Sequence, residues 1–294
     1  VEFAAEPVSF RAWVVNVGRC SVYLLDANLT TNQPHFRDLT RRVYGGDNST
    51  RIMQEIMLGI GGVRLLRRLG VEPSVYHMNE GHAAFLSLEL IHEKMAGGIG
   101  FDEALAETKN ECIFTTHTPV PAGHDRFPAE LMSYSLSRYE KGLQLDHTEL
   151  MALGRVNRDD GDEQFCMTVL ALKAARAANG VSELHGEVSR EMWAGLNGNV
   201  PTIDHVTNGT HLLGWMKATA REFWQPRLQS TVPDKNIFYE RINDAEFWGR
   251  VEDPRFISDE ELWSLRCRLR RELVDFARER LIDNPPSREG DFIS

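Results

Sequence analysis

The chain of 294 residues has few cysteines, no excess of positive charge and no long apolar run, and each shortfall excludes a class of protein. Cys20, Cys112, Cys166 and Cys267 lie far apart and form no CxxC. That spacing argues for free thiols in a reducing, cytoplasmic setting and against a disulfide framework. A formal net charge of −10 argues against a nucleic-acid partner and is compatible with a neutral substrate. No apolar run is long enough to span a bilayer and no signal peptide is visible, so no membrane partner is expected. No short-period repeat and no low-complexity segment occurs. Several catalytic signatures are missing too. Gly59, Gly61 and Gly62 do not make GxGxxG and follow no strand, which rejects a dinucleotide fingerprint. There is no GxSxG, and Cys112 reads as buried in a strand, so a nucleophilic triad has little support. There is no HExxH or HxH. The chain opens on Val1, which is not expected to be a translation start.

What is present is an ordinary globular composition, 42% apolar and 26% charged, enough for one large domain or two small ones. The most informative stretch is 76–85, YHMNEGHAAF. A short β-type run at 74–76 leads into His77, Asn79, Glu80 and His82, and then into an apolar helical pattern. Open α/β sheets place ligand-binding residues where a strand gives way to a helix. Gly81 is expected to supply the tight turn, and the start of the following helix could hold an anion or a polarised hydroxyl.

The same grammar recurs. A strand at 111–116 ends in Thr115, Thr116, His117 and Thr118, then a Pro/Gly loop, then His124, Asp125 and Arg126. A strand at 202–206 ends in Thr207, Asn208, Gly209, Thr210 and His211. Residues 8–25 alternate as a β-ribbon with one apolar face. Residues 52–69 read as a long helix whose glycines favour tight packing over ligand contact. Asp102 is the expected N-cap of a helix at 101–109. The acidic segment 146–163 reads as a solvated loop without EF-hand spacing. Residues 165–178 read as one buried helix broken by Asn179 and Gly180. Helices are expected at 182–192 and 215–224, then a polar connector at 227–236 beginning after Pro226. A short helix at 244–251 follows, and Ser258 with Glu261 forms a capping box opening a long helix at 258–281.

Six histidines (His77, His82, His117, His124, His205, His211) stand at or just past strand ends. A single such histidine is normally a satisfied core or capping residue; several on one edge point to a site. A metal centre would draw on His82, His117 and Asp125, without supporting spacing. A sugar site would draw on a mixed rim of donors and acceptors, which Asn79, Glu80, His82, His117, Asn208 and His211 supply.

At these residues the sequence resembles the α-glucan (glycogen, starch or maltodextrin) phosphorylases of the short bacterial and archaeal branch. The resemblance rests on Tyr44 to Asp47 (YGGD), Arg51, Gln54, Glu55, LGIGGVR at 58–64, and 77–85. It continues with TTHTPVPAGHDRF at 115–127, NGVSELHGEVSR at 179–190, and Thr207 to Gly209 with Trp215. It implies a GT-B fold of two Rossmann-like domains. Residues 1–225 would be part of the N-terminal catalytic domain, with a β-ribbon insertion at 1–30. Residues 226–294 would be the helical crossover towards a cofactor-binding domain. It implies retaining phosphorolysis, in which orthophosphate takes the terminal α-1,4-glucosyl unit as α-glucose 1-phosphate, assisted by the phosphate of pyridoxal 5'-phosphate.

The substrate-binding residues it implies are Asp47 and Asn48 on a loop, Asn79, Glu80 and His82 on the cleft wall, and His117, Arg176 and Asn179. Glu80 replaces the family's Asp, and Arg176 stands where longer enzymes carry a His. The family's Gly-rich phosphate loop, cofactor lysine and orthophosphate-binding cluster have no counterpart here. The expectation is therefore an internal fragment, inactive alone, with homo-oligomerisation reserved for a full-length protein. The rival readings are a non-catalytic remnant that binds glucan or a partner, and a metal-dependent hydrolase.

Overall fold

The computed structural model describes residues 1–3, 6–43, 46–196, Gly198, 200–229, Ile242 and 244–283. Tyr44 and Gly45 of the YGGD motif, most of the 227–236 connector, and Pro285 and Pro286 lie outside the described residues. The chain divides into two compact units, Val1–Asn208 and Gly209–Ser294.

The first unit is a mixed α/β structure around a four-stranded parallel sheet. An antiparallel ribbon, β1 (Arg11–Val17) and β2 (Cys20–Asp26), stands apart from that sheet. The sheet strands are β3 (Tyr76–Asn79), β4 (Cys112–Thr115), β5 (Ala177–Gly180) and β6 (Ile203–His205), in spatial order β6-β5-β4-β3. Parallel strands need long crossovers, and helices fill them here. They are α1 (Asn48–Arg68) ahead of the sheet, α2 (Leu86–Ala96) and α3 (Phe101–Glu111), α4 (Ala129–Gly142), α5 (His147–Leu153), α6 (Met167–Lys173), and α7 (Glu183–Met192). Met78, Phe114, Ala178 and Ile203 are buried in the four strands and share one core with Ile52, Ile56, Ile60, Phe85 and Leu88 of the helical layers.

The register matters for the site. Asn79 pairs with Thr115, and Thr115 pairs with Asn179, so the last residues of β3 and β4 and the third residue of β5 form one row. Polar side chains from sequence positions 100 apart are thereby lined up at the carboxyl ends of the strands, where open parallel sheets hold ligands.

Two local features bring α1 and the β3 turn together. A Cβ on Gly59 would sit 2.7 Å from the Leu86 amide and 3.0 Å from the Ala83 carbonyl, so α1 crosses the 83–86 backbone only because residue 59 has no side chain. Gly61 likewise faces Phe10 and Val1, while Gly62 faces open space. Packing, as expected, accounts for two of the three. The turn after β3 departs from expectation. The left-handed residue is Glu80, at φ 66° and ψ 175°, and the next residues form a 3₁₀ turn, Gly81–Ala83. Gly81 is needed for a different reason: its Cβ would meet the Cβ of Met167 at 3.1 Å and the Thr168 amide at 3.2 Å.

Other expectations are corrected. Residues 165–178 are not one helix: a two-residue strand, Phe165–Cys166, precedes α6, and Ala177–Gly180 is the strand β5 between β4 and β6. A short buried apolar run does not separate helix from strand by periodicity, and neighbouring strands decide it. The 146–163 segment contains α5, opened by an Asp146/Glu149 capping box. Gly100, and not Asp102, caps α3. The ribbon exists, but its apolar side chains are largely in solvent: Trp13 is 53% exposed and Val17 59%.

In the second unit, α8 (Ala218–Gln229) carries Pro226 inside it, so the helix continues into 227–229, the first three positions of the expected connector. Its Trp224 and Leu228 pack with Ile242, Phe247 of α9 (Ala245–Gly249), Ile257 and Leu265 of α10 (Asp259–Asp283). This apolar cluster packs α8 against the residues after it. Ser258 and Glu261 form the expected reciprocal cap of α10.

Candidate functional site

The row of strand ends is hydrogen-bonded across the sheet. Thr115 Oγ1 donates to Asn179 Oδ1 (2.9 Å), which commits its proton. His77 Nε2, 2.8 Å from Thr115 Oγ1, must then be the donor in that pair. Asn179 Nδ2 donates to the Gly180 carbonyl (3.0 Å).

Glu80 organises the next layer. Its carboxylate is buried, and Oε2 accepts from the His117 amide (2.7 Å) and Thr118 Oγ1 (2.9 Å), while Oε1 accepts from its neighbour Gly81 (3.2 Å). A non-glycine residue in this backbone region carries strain of roughly 1–3 kcal/mol, which such bonds can offset. The side chain thus fixes the 116–118 segment against the β3 turn and sets where His117 stands.

Beside it is a cluster drawn from three elements. Arg51 of α1 lies 2.7 Å from Asp125 Oδ2 and 2.9 Å from Glu55 Oε1. His82 Nδ1 donates to Asp125 Oδ2 at 3.1 Å and lies 3.5 Å from Glu55 Oε1. Arg51 also approaches His82 Nδ1 to 3.2 Å. With Nδ1–H committed to Asp125, that approach is two cations sharing one carboxylate and not a hydrogen bond. The hydrogen bonds to Asp125 and then to Glu55 raise the His82 pKa to about 9 against the opposing effect of burial. Burial pushes Glu55 up to about 8. Burial also opposes ionisation of Asp125, but the bonds from His82 and Arg51 outweigh it and hold that carboxyl well below the usual range.

These residues converge on one cavity of about 790 Å³, lined by Arg51, Asn79, Glu80, His82, His117, Thr118, Gly123 and Asp125. A larger groove of about 1080 Å³ has all its lining on α10 and is the outer surface of one helix. Of the residues expected from sequence, Asn79, Glu80, His82 and His117 meet in the cavity. Asn179 joins them through Thr115. Asp47 caps α1, its Oδ1 accepting from the Thr50 amide (2.9 Å), one turn before Arg51, with Asn48 exposed beside it. Arg176 precedes β5, its amide bonded to the Cys112 carbonyl at the start of β4. It is roughly 10 Å along the strand from Asn179, at the opposite end of the sheet from the cavity. Asn208 donates its amide to Val181, neither it nor His205 lines the cavity, and His211 belongs to the second unit. His124 is buried against Thr168 Oγ1 (2.8 Å), and burial lowers its pKa.

Arg51, Glu55 and Asp125 were not expected as site residues, although Asp125 entered as a metal ligand. The available signal was Arg51 and Glu55 one turn apart on the inner, otherwise apolar face of α1. Among the described residues, Glu55, His82 and Asp125 are the one group whose donor atoms gather closely enough for a cation. His117 is not part of it, and the Arg51 guanidinium supplies positive charge to both carboxylates. The hydrolase reading therefore loses its ligand set. The cysteines are all free thiols; burial pushes Cys112 up to about 12, which makes it inert as a nucleophile. Among the described residues, no helix is long and apolar enough to cross a membrane.

No protein-family model matches the chain. Curated proteins do. It is 39% identical over 275 residues to the maltodextrin phosphorylase of Thermococcus litoralis, covering 92% of this chain and 31% of that protein. It is 40% identical over 289 residues to the glycogen phosphorylase of Mycobacterium tuberculosis, covering 92% and 32%. It is 33% identical over 276 residues to the glycogen phosphorylase of Aquifex aeolicus, covering 94% and 38%. The chain thus spans about a third of the length of the curated relatives it matches. Over nearly all of its own length and about a third of theirs, the chain belongs to the family of maltodextrin and glycogen phosphorylases.

Proposed function

We propose that this chain supplies one wall of the glucan cleft of a cytoplasmic α-1,4-glucan phosphorylase with a two-domain GT-B fold. Residues 1–225 would belong to its N-terminal Rossmann-like domain, and 226–294 would lead towards the second domain. The reaction is the transfer of a terminal α-1,4-glucosyl unit to orthophosphate, with retention, giving α-glucose 1-phosphate and a shortened glucan. The observation that carries this reading is the convergence of Asn79, Glu80, His82 and His117 on one cavity at the strand ends. Such a rim offers both donors and acceptors to sugar hydroxyls, and a desolvated hydroxyl left unpaired costs affinity. Asn79 and His117 are exposed to the cavity, Glu80 places His117, and Asn179 steadies the row behind them. Asp47 and Asn48, at the start of α1, are proposed to close over the glucosyl unit.

Pyridoxal phosphate is implied by the family, and the residues here do not fit it. Among the described residues none lining the cavity is a lysine, and Lys173 spends its ammonium on the Ala152 (2.7 Å) and Arg155 (2.6 Å) carbonyls. No step of the reaction is assigned through it on this chain. The same observation supports the second reading, a wall that binds glucan without chemistry of its own.

Isothermal titration with maltoheptaose tests the site. Saturable binding is expected, weakened at least tenfold by Asn79→Ala or His117→Ala. An absence of binding would remove the glucan reading. Incubation with glycogen and phosphate is expected to give no glucose 1-phosphate; its formation by this chain alone would show that the catalytic groups are here after all.

A further inference from the structure

We propose that Arg51, Glu55 and Asp125 are positioning residues that fix the imidazole of His82 on the cavity wall. The inference rests on the glucan reading of that cavity, and it concerns residues to which no role has been given. The geometry carries it. One guanidinium reaches two carboxylates, on Glu55 at 2.9 Å and Asp125 at 2.7 Å, and Asp125 in turn receives the His82 Nδ1 proton at 3.1 Å. Glu55 is on the same helix face as Arg51, one turn on. Asp125 comes from the loop after the Pro121–Gly123 turn, and His82 from the turn after β3. Three separate elements therefore meet on one ring nitrogen.

The setting is costly. The side chain of Glu55 is 2% exposed, that of Arg51 14%, and those of Asp125 and His82 23% and 24%. Glu55 Oε2 is buried and unpartnered among the described residues. Buried ion clusters of this kind are often no more stable than apolar replacements, so stability alone does not explain one built against a cavity. Its effect is to set the plane and charge of His82. An imidazole that donates Nδ1–H to a carboxylate is fixed in orientation, as in the His–carboxylate pairs of hydrolytic sites. Asp125 and Glu55 favour the imidazolium and outweigh its desolvation, while the like charge of Arg51, 3.2 Å from Nδ1, opposes it.

The test is a ring-nitrogen NMR titration of His82 in the labelled chain, assigned with His82→Gln, run beside calorimetry with maltoheptaose. Asp125→Asn keeps the shape and removes the charge. It is expected to move the His82 midpoint down by at least one pH unit, towards 6.5, and to weaken maltoheptaose at least tenfold at pH 8. Asp125→Glu is expected to restore most of both, and Glu55→Gln to give a smaller shift in the same direction. A purely structural role would lower the melting temperature and leave the His82 midpoint in place. An unmoved midpoint in Asp125→Asn, or in Glu55→Gln should the first variant not fold, overturns the proposal. If the wild type gives no heat with maltoheptaose while the midpoint moves, the positioning role stands and the glucan reading falls.

Discussion

Glu80 shows how much one side chain can decide. It holds a backbone conformation that other residues avoid, and its carboxylate satisfies the His117 amide and the Thr118 hydroxyl. Glu80→Ala is expected to cost about 1–3 kcal/mol, because those buried donors lose their acceptor and the backbone strain remains. Chemical denaturation, with the slope unchanged and the midpoint lowered, checks it. The cluster around Arg51 makes a pH prediction at the same scale. His82 titrates near pH 9 when folded against 6.5 when free, so its stabilising contribution is fully present below 6.5 and is lost as pH rises through 9. Glu55, raised from 4.5 to about 8, acts in the same direction: the folded state favours its proton, and that advantage disappears as pH climbs to 8. Asp125 is opposite, contributing above pH 3.8 and losing that contribution as pH falls below it. Melting temperature is therefore expected to fall between pH 6.5 and 9, and the fall should shrink in His82→Gln. A flat alkaline limb in the wild type would contradict the cluster as described.

The elements explain which parts of the structure were legible in the sequence. Strands β4 and β6 were readable because each ends in a conspicuous polar run, and α1 because its apolar spacing is long. Strand β5 was not, since AANG has neither alternation nor β-branched residues; it is a strand because β4 and β6 each offer it a parallel partner. The site residues within 79–82 were readable as a motif. Asp125 was grouped with His82 only as a metal ligand, and Arg51 was not readable as its partner, because Arg51 and Asp125 are 74 positions apart and only the fold brings them together. The glycines of α1 give a paired test. Gly59→Ala would drive a methyl into the 83–86 backbone and is expected to destabilise by roughly 1–3 kcal/mol. Gly62→Ala meets nothing and is expected to stabilise by up to about 1 kcal/mol through helix propensity. Thermal melts of the two variants should move in opposite directions; a common direction would mean the α1 crossing is looser than described.

At the scale of the molecule, the first unit leaves apolar surface uncovered. The β1–β2 ribbon exposes Trp13, Val14, Val15, Val17, Val22 and Leu24, and among the described residues β3 and β6 have one unpaired edge each. Exposed apolar ribbons and open edges favour association. The isolated chain is therefore expected to self-associate at micromolar concentration in light scattering, and Trp13→Lys with Val15→Lys is expected to reduce it. A monodisperse wild-type monomer would count against this reading of the ribbon.

The backbone at residue 80 also limits how the sequence can drift. A φ of 66° is closed to valine, isoleucine and threonine, whose branched Cβ has no room there, whatever hydrogen bonds they could make. Glycine fits the backbone and loses the carboxylate. In a saturation library selected for folding and maltoheptaose capture, position 80 should therefore retain glutamate and aspartate, admit asparagine weakly, and reject every β-branched codon. Gly62, on a helix with open space around it, should accept nearly all comers.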